Sequence, residues 1–267
     1  MTSVLPPEEI IGQVLDRGYS SIKGCFTSSF CETLKQECLN VLDGGGYNVA
    51  SPENTNSFHG KGGNVSLIYN AHNKGPNLLS LIAHDRILEV VEPLLAKGSY
   101  RNQEKSILLS STVRGLRGPG EKQQLHIDSN IPGLPVPLVV QVIIVLDAFD
   151  VSSGGTRLVP FSHRFDRFAK DEETRDDEIE IEAEAGDVII FDGGLWHGSS
   201  QKTNKSERWI VVNTYGRWFL KPAFDFRNSI TDDMKAILTN KQKDILGFRC
   251  MPPDDEFERV TRWKDTF

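Results

Sequence analysis

Cysteine is scarce in this chain of 267 residues: four, at positions 25, 31, 38 and 250, with no CxxC pair among them. That is too few and too scattered for a disulfide scaffold or a cysteine zinc site, and reduced thiols in a cytoplasmic protein are the expectation. Excess positive charge is absent as well. Lys and Arg number 30 against 37 Asp and Glu, a formal charge of −7, whereas a broad grip on nucleic acid needs many cations facing phosphates. Long apolar runs are missing too. The longest, Leu138 to Leu146, is interrupted by Gln141 and falls far short of the roughly 20 residues that span a bilayer. The opening MTSVLPPEEIIGQVLDRG has early acids and lacks the apolar centre of a secretory leader. Neither G-x-S-x-G nor H-E-x-x-H occurs, which removes the common hydrolase readings. Nucleic acid and membrane are therefore not expected as partners.

What is present is the composition of a globular protein, 38% hydrophobic and 25% charged. EEIIGQVLDRG puts Ile10, Ile11, Val14 and Leu15 on one helical face and stops at Gly18. YSSIKGCF reads as a short extended piece. In TSSFCETLKQECLNVLDGGG, residues Phe30, Leu34, Cys38, Val41 and Leu42 recur at helical spacing between capping hydroxyls and terminating glycines. From Gly44 to about Pro76 the chain turns polar and rich in Gly and Asn, which suits a lid or binding loop as well as a plain surface loop. DRILEVVEPLL resumes a helix. Beyond about residue 105 the runs SILLSSTVRG, VPLVVQVIIVLD, GTRLVP, EIEIEAEAGDVIIFDG, WHGSS and RWIVVNTYGRWFL alternate with Gly, Pro and Asp. Strands at such intervals predict a β-sandwich or barrel. ITDDMKAILTNKQKDILGF returns to helix. One domain over 1–267 is expected, with a helical part to about 104, a β-core over about 105–220 and a helical end over about 221–267.

In QQLHIDSN, His126 and Asp128 are two residues apart. An extended strand turns such a pair to one face, where a single cation meets both, although His-x-Asp also occurs at ordinary loop edges. Of the six histidines, His59 and His72 lie in the polar stretch, His84 in a helical segment and His163 in a turn. His197 differs. It follows the apolar strand VIIF and a Gly-Gly turn in FDGGLWHGSS, flanked by small residues that admit close approach. Two histidines and one carboxylate form the facial triad of non-haem iron oxygenases. Arg208 opens the apolar run RWIVVNTYG; a guanidinium at the edge of a core needs an anion, met by a bound carboxylate or by an ordinary salt bridge.

The ordered motifs LHID, GGTRLVPFSHR, EAGDVIIFDGGLWHGSS and RWIVVNTYGRWFLKP resemble the phytanoyl-CoA dioxygenase family of Fe(II)/2-oxoglutarate oxygenases, over roughly residues 10–250. The resemblance implies a mainly β fold with flanking helices, its core a double-stranded β-helix (a jelly-roll, cupin-like barrel). It implies His126, Asp128 and His197 as catalytic iron ligands and Arg208 as the anchor for the distal carboxylate of 2-oxoglutarate. Ser199, two beyond His197, shares its face and is expected to donate to the same carboxylate, with Thr156 lining the pocket. Gln141 is counted among the residues expected to bind the co-substrate; it and Ile143 stand where many members carry a tryptophan or polar aromatic, a departure that leaves the contacts at the iron-chelating end open.

With Fe(II), 2-oxoglutarate and O2 as cofactors, the implied reaction hydroxylates or otherwise oxidises an unactivated C–H bond and releases succinate and CO2. The substrate expected is a small molecule, a natural-product intermediate. Related halogenases replace the Asp128 carboxylate by a small residue, so halogenation is not expected. An acyl-CoA or amino-acid hydroxylase and a non-catalytic metal-binding barrel acting as a sensor are the alternatives; the intact set with Arg208 favours an enzyme. Arg114 and Arg117, in RGLRGPGEK, are candidates to hold an anionic substrate. Trp196, Trp209 and Trp218 read as barrel packing.

Overall fold

A computed structural model describes residues 5–44, 65–99, 106–248, 250 and 255–258. Helix α1 (Pro7–Arg17) buries Ile10 and Val14 and ends at Gly18, whose φ of 93° is a left-handed conformation natural to glycine. Strand β1 (Tyr19–Ile22) leads to α2 (Ser28–Asp43), where the Thr27 hydroxyl accepts from the Phe30 N–H and caps the helix. Then come β2 (Val65–Tyr69), α3 (Pro76–Leu81) and α4 (Asp85–Ala96). The β-rich region supplies β3 (Ser106–Leu116), β4 (Val139–Val145), β5 (Thr156–Leu158), β6 (Ile179–Glu180), β7 (Val188–Asp192), β8 (His197–Ser199) and β9 (Arg208–Arg217). Short helices over Phe226–Ser229, Asp232–Ala236 and Asn240–Ile245 follow.

The strands form two antiparallel sheets of a jelly-roll: a six-stranded sheet in the order β1-β7-β4-β9-β3-β2, and a smaller one in the order β6-β5-β8. Every residue of β4 is buried, because the large sheet is covered on both sides. Val140, Val142 and Ile144 face the helices and join Val14, Leu34 and Val91 in one core. Ile143 and Val145 face inward and pack with Phe191, Leu195 and Ile210. Burial on both faces explains why VVQVIIV lacks polar alternation, and it makes the inward Gln141 conspicuous.

Two expectations need correction. The stretch from Gly44 to Pro76 contains β2, whose Val65–Tyr69 pairs with Leu116–Thr112 of β3; residues 45–64, with His59, lie outside the described residues. The extended piece expected in YSSIKGCF is β1, and β2 joins it in the large sheet, so two strands stand among the N-terminal helices. Trp218 does not pack in the barrel: β9 ends one residue before it, and the side chain sits 41% exposed against Phe219. No helix of the described residues is long and apolar enough to cross a membrane.

Candidate metal centre

His126 and His197 exchange both backbone hydrogen bonds, each 3.0 Å, in an isolated antiparallel bridge. Directly opposed residues project to one face, and the two imidazoles stand with ring centroids 4.3 Å apart. The Gly193 carbonyl then accepts from the N–H of Asp128 at 2.7 Å and of Ser129 at 2.9 Å, which turns the chain so that Asp128 reaches the same face. The strand–turn sequence FDGGLWHG builds this locally. Buried Asp192 accepts from the Gly194 N–H at 2.8 Å, closing the turn that delivers His197, and burial pushes its carboxyl up to about 6. Gly198 is required by a close approach: a Cβ there would stand 2.9 Å from the Gln123 carbonyl and 3.1 Å from that of Gln124.

Asp128 Oδ2 lies 3.2 Å from His197 Nε2, and Oδ1 lies 3.9 Å from His126 Nε2. The three donor atoms fall within 4.8 Å of one another, and adjacent ligands on a first-row cation stand roughly 3 Å apart. Each Nδ1 faces a backbone carbonyl, Gln124 at 3.0 Å for His126 and Leu195 at 2.9 Å for His197. A carbonyl only accepts, so each Nδ1 carries the proton and a neutral ring offers the Nε2 lone pair inward. Burial, with His197 alongside, pushes His126 down to about 4. Burial opposes ionisation of Asp128, but protonated His197 and His126 outweigh it, and the Gln141 amide, which donates to Oδ2, adds to them. Together they hold the carboxyl well below the usual range until a cation takes the place of the ring protons. Neutral, neutral and anionic donors on one face fit a divalent cation with open positions.

The triad opens on a cavity of about 550 Å³. Arg208, first residue of β9, lines it at 4% exposure, with its guanidinium 5.7 Å from the Phe149 ring centre. Its Nε has no hydrogen-bond partner, and no carboxylate of the described residues pairs with it. Burial and the neighbouring Arg114 push its pKa down to about 10, so it remains a cation at neutral pH. The salt-bridge alternative is therefore not realised among the described residues, and the orphaned buried guanidinium fits a bound carboxylate.

Ser199 and Thr156 are opposed across β8 and β5 and line the same cavity. Gln141 lines it too, with both ends of its amide occupied: Nε2 donates to Asp128 Oδ2, and Oε1 accepts from Thr214 Oγ1 at 2.8 Å. Arg114 lies in the cavity, whereas Arg117, past the end of β3, is exposed and stacks on the Trp209 ring at 5.3 Å. Of the two arginines expected at the substrate, the structure places only Arg114 in the cavity with the triad. The cavity also holds Ser110, Thr112, Gln123 and Thr214, which the motifs did not single out. The signal for three of them was the period of two: 110 and 112 share the parity of Arg114, and 214 that of Arg208.

A family model described as phytanoyl-CoA dioxygenase matches residues 15–210. The relative named dioxygenase FUM3, from Gibberella moniliformis, is 27% identical over 273 residues, 95% of this chain and 86% of its own. Dioxygenase af480, from Aspergillus fumigatus, is 28% identical over 160 residues, 57% of this chain; there the match spans half of the relative's length, 50%. Among solved structures, HygX from Streptomyces hygroscopicus with nickel and 2-oxoglutarate bound aligns with a TM-score of 0.64 at 16% identity, covering 85% of this chain and 93% of HygX. The non-heme alpha-ketoglutarate-dependent epimerase SnoN, from nogalamycin biosynthesis, gives 0.64 at 16% identity, covering 85% and 90%. At that identity the likeness establishes the jelly-roll fold.

Proposed function

The chain belongs to the phytanoyl-CoA dioxygenase family of Fe(II)/2-oxoglutarate-dependent oxygenases, and from that premise we propose that it oxidises an unactivated C–H bond of a small organic molecule. The observation that carries this reading is the pairing, in one cavity, of a two-imidazole, one-carboxylate donor set with a buried guanidinium that lacks an acid among the described residues. A barrel that only bound metal would gain nothing from Arg208.

Fe(II) together with 2-oxoglutarate and O2 supplies the oxidising power, consuming the co-substrate to succinate and CO2. The chain's residues do the positioning. His126, Asp128 and His197 hold the metal, and the two Nδ1 hydrogen bonds keep both rings aimed. Arg208 binds the distal carboxylate of the co-substrate, with the Ser199 hydroxyl and Thr156 beside it. Ile143, Phe191, Ile210 and Val212 line the cavity with apolar surface and limit water. Tyr69, Leu109 and Phe224, all partly exposed, form the rim that the substrate's body passes. Hydroxylation is the outcome proposed, because the Asp128 carboxylate fills the place a halide would need.

The substrate class proposed is a natural-product intermediate. The cavity volume suits one, and the structural neighbours include HygX with hygromycin B bound and an enzyme of nogalamycin biosynthesis. The test is succinate release from 2-oxoglutarate with Fe(II) and O2 across a panel of such molecules. Stimulation by a panel member in the wild type and none in Asp128→Ala is the expected result; equal succinate release from the variant would contradict the assignment.

A further inference from the structure

Arg208 is not the only guanidinium in the cavity. On β3 the inward positions are Ser110, Thr112 and Arg114, and on β9 they are Arg208, Ile210, Val212 and Thr214. The register opposes Arg114 to Ile210 and Leu116 to Arg208. The two arginines are therefore diagonal neighbours on one face, within reach of each other's long side chains. Nε of each is buried without a hydrogen-bond partner, and no carboxylate of the described residues pairs with either. Their repulsion is felt, since Arg114 adds to burial in depressing Arg208. Arg208 is buried and Arg114 partly so, and two like charges on one face with buried Nε atoms call for an anion between them.

The direction of Arg114 matters. Arg114, Arg208 and the metal triad all line one cavity. Toward the other end of β3, Leu109 accepts from the Ala223 N–H at 2.8 Å and lines the cavity with Phe224 and the exposed Lys221. The rim proposed above for the substrate therefore lies five residues along β3 from Arg114. Resting on the reading of Arg208 above, we propose that Arg114 is a second binding residue for 2-oxoglutarate, whose distal carboxylate is shared between Arg114 and Arg208. A carboxylate has about four acceptor sites, enough for two guanidinium forks. The arrangement moves Arg114 from the substrate to the co-substrate and demands a dicarboxylate: a keto acid without the distal group leaves buried Arg208 and its partly buried neighbour Arg114 without an anion.

The test is calorimetric titration of 2-oxoglutarate and of 2-oxopentanoate, which lacks the distal carboxylate, into Ni(II)-loaded protein. Arg114→Met and Arg208→Met are each expected to weaken 2-oxoglutarate binding about tenfold or more, while 2-oxopentanoate binding changes by less than about twofold. The metal-free Arg114→Met protein should melt no lower than the wild type, because the repulsion Arg114 exerts on buried Arg208 has been removed. If that variant fails to fold, Arg114→Lys, which keeps the charge and loses the fork, must still weaken 2-oxoglutarate selectively. Unchanged 2-oxoglutarate affinity in the Arg114 variants, with loss in Arg208→Met, overturns the shared site and leaves the Arg208 reading standing. Equal losses for both keto acids also overturn it, since Arg114 would then act through the metal. A wild type that binds no 2-oxoglutarate overturns both readings together.

Discussion

Gln141, on β4, holds Asp128 by a side-chain hydrogen bond. Its Nε2 donates to Asp128 Oδ2, and its Oε1 accepts from Thr214 Oγ1, which in turn accepts from Ser110 Oγ at 2.9 Å. Three strands, β4, β9 and β3, thus set the orientation of one carboxylate.

Gln141→Leu should keep the fold, since the position is flanked by buried aliphatic residues, and should weaken Ni(II) or Fe(II) binding by about 10–100-fold, the usual effect of removing a ligand's supporting hydrogen bond. Metal affinity equal to that of the wild type would show that Asp128 needs no such support.

Gly198→Ala tests the close approach behind the histidine bridge. Its Cβ would press on the carbonyls of Gln123 and Gln124, and backbone atoms cannot rotate away. The 123–126 segment must retreat from β8, parting His126 from His197. Metal titration should show a fall of about tenfold or more, with the melting temperature changed far less than by a core truncation.

Arg117→Ala separates the two arginines of RGLRGPGEK. Because Arg117 is exposed and stacked on Trp209 outside the cavity, 2-oxoglutarate affinity should stay within about twofold of the wild type, since an exposed contact of this kind is worth little. A loss matching that of an Arg114 variant would place Arg117 back in the site.

Asp187 offers a prediction about pH. Burial works against its ionisation, but Lys23 Nζ at 2.7 Å and the N–H groups of Gly24 at 2.9 Å and Glu184 at 3.1 Å outweigh it and hold the carboxyl below its ordinary value of 3.8. A carboxyl depressed in the folded state stabilises above its unfolded pKa, and that contribution is lost as pH falls through the folded value. Asp187→Asn should therefore cost about 1–3 kcal/mol near neutral pH, with the gap to wild type closing below pH 3.8. A gap independent of pH would exclude the ionised form as its source.

The cluster of His126, Asp128 and His197 had local signals, a spacing of two and a strand followed by a Gly-Gly turn, but these were weak alone and gained weight only from the ordered motifs of the family resemblance. Arg208 likewise read on its own as an ordinary salt bridge, and its place in the cavity followed from the same motifs. Thr214 and Ser110 were not legible, because their approach to Gln141 depends on a register between strands far apart in the chain, and a slip of one residue turns a side chain to the other face. Arg114 and Arg117 looked alike for the same reason: only the end of β3 at Leu116 leaves one inside and the other out. β2 escaped notice because five residues behind a long Gly- and Asn-rich stretch carry too little pattern, and its strand character comes from pairing with β3.

The most direct test of the account is the anaerobic absorbance of metal-free protein on adding Fe(II) and then 2-oxoglutarate. A weak visible charge-transfer band that needs both additions, and that Asp128→Ala and Arg208→Met fail to develop under the same conditions, is the result predicted. Protein that binds Fe(II) through His126, Asp128 and His197 but develops no band at saturating 2-oxoglutarate would contradict it.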